Sequence, residues 1–200
     1  MLRLGREEKT GFGKLSLNGG GSMKYVAASF LLLAAPAAAE VKDSSSTHFQ
    51  VEHSALIPLP PAAAYALLLR PSRWWNSTHT YSGDARNLSL DPAGGGCFCE
   101  RLTDGGSVEH MRVVYAQPGT LLRLSGGLGP LQASAVAGTL TWTLKAEGQG
   151  TRLTQTYLVA GHIPGGADKL AAPVDRVLAE QLGRLAAAAT VGDQGAQTRD

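Results

Sequence analysis

Reactive side chains concentrate in Cys97-Phe98-Cys99-Glu100 and, beyond the turn Thr103-Asp104-Gly105-Gly106, in Glu109-His110. If Asp104-Gly105 is a two-residue hairpin turn, the register sets Cys99 opposite His110 and Cys97 opposite Arg112. Phe98 then faces Met111, and Glu100 faces Glu109. Two thiols and an imidazole on one face are three soft ligands, but no second cysteine pair and no spaced histidine pair completes the set, so no metal is expected. Cysteines at i and i+2 of a strand point the same way, too far apart and too nearly parallel for an unstrained bridge, so no disulfide is expected between them. Directly opposed carboxylates repel unless one is protonated or a cation intervenes. His110, Glu100 and Glu109 are the candidates for a general base, against the plainer reading of a structural strand histidine. Which face looks inward stays open: Phe98, Met111 and Val113 argue for one, the buried habit of free cysteine for the other.

A second cluster, Arg73-Trp74-Trp75-Asn76-Ser77-Thr78-His79-Thr80-Tyr81, packs three large aromatics into nine residues. Trp74, Trp75 and Tyr81 are either ligand contacts or a plug at one end of the core. A third set comes from alternation in Gly138–Lys145 and Thr151–Ala160, which puts Leu140, Trp142 and Leu144 on one face with Leu153, Gln155, Tyr157 and Val159. Trp142 and Tyr157 then point into the sheet's inner side, as core or as cavity lining, and their polar hydrogens need partners. Gln155 beside them argues against a wholly dry core. The candidate ligand-binding residues are thus Trp74, Trp75, Tyr81, Cys99, His110, Trp142, Gln155 and Tyr157.

These residues must be carried by a sheet and a helix. A strand is expected over about Phe49–Ile57, broken by Pro58-Leu59-Pro60-Pro61, then a short Ala/Leu helix over Ala62–Leu69 and a second helical turn from Pro71. From Ala85 the period becomes two, with strands expected near Ala85–Leu90, Gly96–Leu102, Ser107–Ala116, Leu121–Ser125, Ala135–Lys145 and Thr151–Ala160. The fold order leaves room for one further strand, hidden or split near Leu128–Gln132. The last element is a helix over Pro173–Ala188 whose stripe Val174, Val177, Leu178, Gln181, Leu182 and Leu185 must be buried, with Asp168–Ala172 as a preceding turn. Val41–Thr47 reads as polar coil, and residues 190–200 as a disordered tail.

Strand, two short helices, an antiparallel meander and a long C-terminal helix make an α+β domain in the order of the helix-grip fold. The glycine-led strand Gly94-Gly95-Gly96-Cys97-Phe98-Cys99-Glu100 and the hairpin Gly138–Lys145 with Gly150–Tyr157 resemble those of the START-like (SRPBCC) superfamily, over about Phe49–Ala188. The resemblance implies a curved sheet wrapped around the last helix, over residues 40–189. It also implies a small hydrophobic or amphipathic ligand held between sheet and helix. Because that superfamily includes carriers, polyketide cyclases and uncharacterised members, it further implies two alternatives. One is a cyclase or dehydratase with His110 or a carboxylate as general base; the other is an envelope interaction protein with a filled core. No dinucleotide fingerprint, Walker loop, nucleophile elbow or zincin motif occurs, and no cofactor is expected.

The formal charge of +2 is set by the first 39 residues. From Glu40 onward thirteen basic residues meet fourteen acidic ones, so no basic surface points to nucleic acid. Met23–Ala39 has the form of a secretory signal peptide: Met-Lys, an apolar run of 11 residues over Tyr25–Ala35, and the small-residue exit Ala37-Ala38-Ala39. The run is far short of the roughly 20 residues a membrane-spanning helix needs, so no anchor is expected after cleavage. Residues 1–22 match neither a signal peptide nor a folded element, and translation is expected to begin at Met23 of a bacterial gene, making them an upstream extension. The expected location is the periplasm or the medium. N-terminal sequencing of protein from a bacterial envelope fraction is expected to begin at Glu40; a start at Met1 or Met23 in an exported pool would refute cleavage there.

Overall fold

The computed structural model describes residues 40–194, so the signal-peptide and upstream-extension readings lie outside the described residues, as do residues 195–200 of the expected tail. The fold is α+β, an eight-stranded antiparallel sheet with a long C-terminal helix, in the helix-grip arrangement. The strands are β1 (Glu40–Ser44), β2 (His48–Ile57), β3 (Leu88–Leu90), β4 (Cys97–Arg101), β5 (Ser107–Gln117), β6 (Leu121–Ser125), β7 (Ala135–Glu147) and β8 (Gly150–His162). Helix α1 (Pro61–Leu68) follows β2, and α2 (Asp168–Gln194) closes the described chain. Spatial order is β1-β2-β8-β7-β6-β5-β4-β3, so the β7–β8 hairpin is interior to the sheet.

The period-two pattern decides which side is buried. Leu140, Trp142 and Leu144 on β7 and Leu153, Gln155, Tyr157 and Val159 on β8 are buried, while the intervening threonines stand outward. Opposite them Leu178, Gln181, Leu182 and Leu185 of α2 are buried at helical spacing. A polar thread joins the layers. Trp142 Nε1 donates to Gln155 Oε1 at 2.8 Å, and Gln155 Nε2 donates to the Leu178 carbonyl at 3.2 Å. Nearer the other edge, buried His53 on β2 meets Asp175 of α2, Nε2 to Oδ1, at 2.9 Å.

Four expectations are corrected. Val41–Thr47 is not coil, since Glu40–Ser44 pairs with β2; backbone pairing there outweighs a polar composition that gives no periodic signal. Leu128–Gln132 holds no strand but a 3₁₀ turn, Gly129–Ala133. Helix α2 begins at Asp168, placing Pro173 inside it, and continues through Thr190 to Gln194 where a tail was expected. Pro173 falls in its second turn.

The fourth correction concerns the β4–β5 register. The hairpin closes on three residues, Thr103–Gly105, between Leu102 and Gly106: Leu102 N donates to Gly106 O at 2.9 Å, and Gly105 takes the left-handed φ of 89°. Cys99 therefore pairs with Glu109 and Glu100 with Val108. A β-bulge between Phe98 and Cys99 then absorbs one residue of β5, so Phe98–Met111 and Cys97–Arg112 pair as expected. His110 is the extra residue, and it turns inward together with Met111. The Cys99–His110 pair, the shared face of Cys97, Cys99 and His110, and the opposition of Glu100 to Glu109 do not occur.

The central thread gives a testable consequence. Trp142→Phe keeps most of the bulk but leaves the Gln155 carbonyl oxygen buried without its donor. It is expected to destabilise the domain by about 1–3 kcal/mol, read as a lower urea midpoint with unchanged slope.

Candidate functional site

The three-residue turn brings together what a two-residue turn would have kept apart. Glu100, fully buried, and His110, 5% exposed, share the inner face, with His110 Nε2 to Glu100 Oε2 at 2.9 Å. The same carboxylate accepts from the Tyr81 amide at 3.1 Å and from the Ser82 amide. Burial pushes the Glu100 pKa up, but hydrogen bonds from Ser82, the Tyr81 amide and His110 outweigh it and hold the carboxyl below its ordinary value. An ionised carboxylate only accepts, so Nε2 of His110 donates, and in the neutral ring Nδ1 carries the lone pair. Nδ1 is buried and has no hydrogen-bond partner among the described residues. The ring lies against Phe98, centroids 5.2 Å apart, and stacks on Tyr81 at 5.9 Å and 20°.

His110 lines a pocket of about 350 Å³ between the sheet and α2. Its walls come from three places: Trp75 and Thr78–Tyr81 at the entrance of the sheet, Leu128–Leu131 in the loop before β7, and Leu170, Pro173, Val174, Val177 and Leu178 on α2. Tyr157 completes it from β8, accepting from the Leu128 amide at 2.9 Å and donating to the Gly126 carbonyl at 3.2 Å. Burial drives the Tyr157 pKa up to about 12, against the opposing Leu128 amide, so the phenol stays protonated and holds the loop. Gly138 permits this closeness, because a Cβ there would overlap the Gly126 carbonyl and the Tyr157 hydroxyl.

The aromatic segment is stapled to α2. Gln181 Oε1 accepts from the Asn76 amide at 2.7 Å, Arg184 Nε donates to the Trp74 carbonyl at 2.9 Å, and Asn76 and His79 both hydrogen-bond Glu180. Trp75 Nε1 donates to the His79 carbonyl at 3.0 Å, leaving its ring for the wall and for Phe98.

Of the residues picked out from sequence, Trp75, Tyr81, His110 and Tyr157 meet at the pocket, and Glu100 stands behind His110. Trp74 is buried beneath α1 with its indole on the Leu67 carbonyl, while Trp142 and Gln155 belong to the polar thread; none of the three lines the pocket. Cys99 does not line it either, and it is joined to Cys97 by a disulfide, their Cα atoms 5.3 Å apart. The expectation of no bridge assumed a fully extended strand, whereas the Cα atoms of Cys97 and Cys99 lie closer together than such a strand holds residues i and i+2. Glu109 is on the outer side, paired with Arg112 three residues on. The Leu128–Leu131 loop was missed as a wall, since the Tyr157 hydroxyl that hydrogen-bonds it comes from a distant strand. Val174, Val177 and Leu178 were legible as a buried stripe, without a sign that part of it borders open space.

A family model described as polyketide cyclase / dehydrase and lipid transport matches residues 48–190, and the chain belongs to this family. Solved structures share the fold at low identity. An uncharacterised protein from Rhizobium leguminosarum aligns with TM-score 0.54 and 21% identity, over 74% of this chain and 98% of its own. The Mll3558 protein from Rhizobium loti gives 0.53 and 23%, over 70% and 96%. CalU16 from Micromonospora echinospora gives 0.50 and 14%, over 71% and 76%. A search of curated proteins returned no match.

Glu100→Ala is expected to cost about 3–5 kcal/mol at pH 7, because His110 Nε2 and two amides lose their acceptor together. With its folded pKa depressed, Glu100 contributes fully above the unfolded value near 4.5, and the contribution is lost as the pH falls through the folded value. Denaturant titrations at neutral and acid pH should therefore show a smaller gap between wild type and Glu100→Gln in acid.

Proposed function

We propose that the domain is exported and binds a small, mainly apolar molecule in the pocket between sheet and α2. The observation that carries this is the space itself: about 350 Å³, bordered by Trp75, Leu128, Leu131, Leu170, Val174 and Val177, with few polar groups. That volume falls within the roughly 300–1,000 Å³ of small-molecule sites. It is at odds with the alternative of a wholly filled core. Membership of a family described by polyketide cyclisation, dehydration and lipid transport agrees with an apolar ligand. The export reading rests on Met23–Ala39 and is tested by the N-terminus of the mature chain.

A second reading, a cyclase-like or dehydratase-like enzyme, is favoured by one observation, the buried Glu100–His110 pair at the pocket wall. In that role His110 Nδ1 would take a proton from a carbon beside a substrate carbonyl, and Glu100 would stabilise the resulting imidazolium through Nε2–H. Solvent-exchange of the α-protons of a bound ketone, lost in His110→Gln with binding retained, would support it over a carrier.

The binding reading predicts saturable uptake of a naphthalene-type fluorescent probe in the micromolar range, equivalent to about −8 kcal/mol. Trp75, on the wall, is the tryptophan whose emission should respond. Val177→Trp, a half-buried helix position bordering the pocket, should fill the space and weaken probe binding at least tenfold while far-ultraviolet circular dichroism stays unchanged. Absence of saturable binding by the wild-type protein would refute the proposal.

A further inference from the structure

We infer that the Cys97–Cys99 disulfide is a reversible thiol-exchange site, at which a small thiol attacks Cys99 and expels Cys97 as a thiolate beside Arg112. The site is on the outer face of the sheet, and its chemistry does not depend on what the pocket holds.

As a structural brace the bridge does little. It spans residues 97 to 99 of one strand, so it ties no two elements together. Closing a three-residue loop constrains the unfolded chain roughly half as much as closing a 15-residue loop. β4 is held without it, by pairing to β3 on one side and β5 on the other. Between the cysteines, Phe98 is buried against Trp75 and His110. The bridge also draws the two Cα atoms to 5.3 Å, whereas two residues of extended strand span about 6.7 Å, so opening the bond lets the strand regain its regular length. Both cysteines are partly exposed, as an attacking thiol requires.

Arg112 gives the bond a direction. It pairs with Cys97 across the two strands, where opposed side chains stand about 5 Å apart at Cβ. Its guanidinium is held at both ends, Nη1 donating to the Gly95 carbonyl at 3.1 Å and Nη2 to the Glu109 carboxylate. Gly95 is two residues before Cys97 and Glu109 pairs with Cys99, so the cation is fixed along the flank of the bridge. A cation beside a sulfur favours its thiolate, and a stabilised thiolate leaves more readily. Cys99 faces a carboxylate instead. An incoming thiolate therefore forms its bond to Cys99 Sγ as the Cys97–Cys99 bond breaks, the electron pair going to Cys97. A second thiolate then attacks the sulfur of the first, releasing Cys99. The protein gains two electrons and the protons of both thiols, and the two small thiols leave joined as a disulfide.

Glutathione is the probe. Protein purified without reductant is exposed to millimolar reduced glutathione at neutral pH without denaturant, quenched in acid, and its thiols are counted by alkylation and mass spectrometry. Both thiols should appear while far-ultraviolet circular dichroism is unchanged, and oxidised glutathione should remove them again. Arg112→Gln should slow the reduction at least about threefold. Iodoacetamide, a neutral reagent, locates the thiolate: Cys97 in the Cys99→Ser variant should react at least about threefold faster than Cys99 in Cys97→Ser, and adding Arg112→Gln to Cys99→Ser should remove most of that difference. Reduction only after urea is added marks a purely structural bridge and overturns the inference. So do free thiols at the outset, equal alkylation of the two cysteines, or an Arg112→Gln protein reduced as fast as wild type. The glutathione arm uses wild-type protein, so it decides the matter even if a variant fails to fold.

Discussion

Gln155 is where the sheet takes hold of the helix. It sits in β8, an interior strand, fully enclosed, accepting from the Trp142 indole and donating to the backbone of α2 at Leu178. A backbone carbonyl inside a helix already serves as an acceptor for the next turn, so an additional donor there ties the helix to the sheet without opening it. Because an amide is costly to bury unpaired, this thread favours one depth and one rotation of α2 over the concave face. The rotation then decides which part of the helix stripe meets side chains of the sheet and which part borders a space. Leu182 and Leu185 fall on the packed side, and Val174 and Val177 beside the pocket.

The pocket persists because its walls are held by polar anchors rather than by mutual contact of apolar groups. Tyr157 fixes the Leu128–Leu131 loop through two hydrogen bonds, and Glu180, Gln181 and Arg184 fix the aromatic segment through contacts with Asn76, His79 and Trp74. Apolar side chains alone would tend to collapse into such a volume, since packing at interior density is favourable. Anchoring the backbone on both rims opposes that collapse.

Closure of the β4–β5 hairpin on three residues has a large chemical effect for a small structural change. It puts His110 on the inner face with Glu100, which receives it, while the β-bulge beside Phe98 restores the Phe98–Met111 pairing and leaves the disulfide-joined Cys97 and Cys99 on the other face.

Sequence alone determined the α+β architecture, the inner face of the β7–β8 hairpin and the stripe of α2, because residue periodicity directly reports which side of an element is buried. It also singled out Trp75, Tyr81, His110 and Tyr157. Tertiary structure decided the rest. Whether the Asp104-Gly105 turn closes on two residues or three changes the register by one, and composition is nearly silent on that difference; yet it moves His110 from the side of Cys99 to that of Glu100. The separation of Trp142 from Tyr157 was likewise invisible, since both alternate onto the inner face. Only the placement of α2 puts one beneath the helix and the other on the wall of the pocket, because a helix covers a curved sheet along a single line and leaves the remainder to loops.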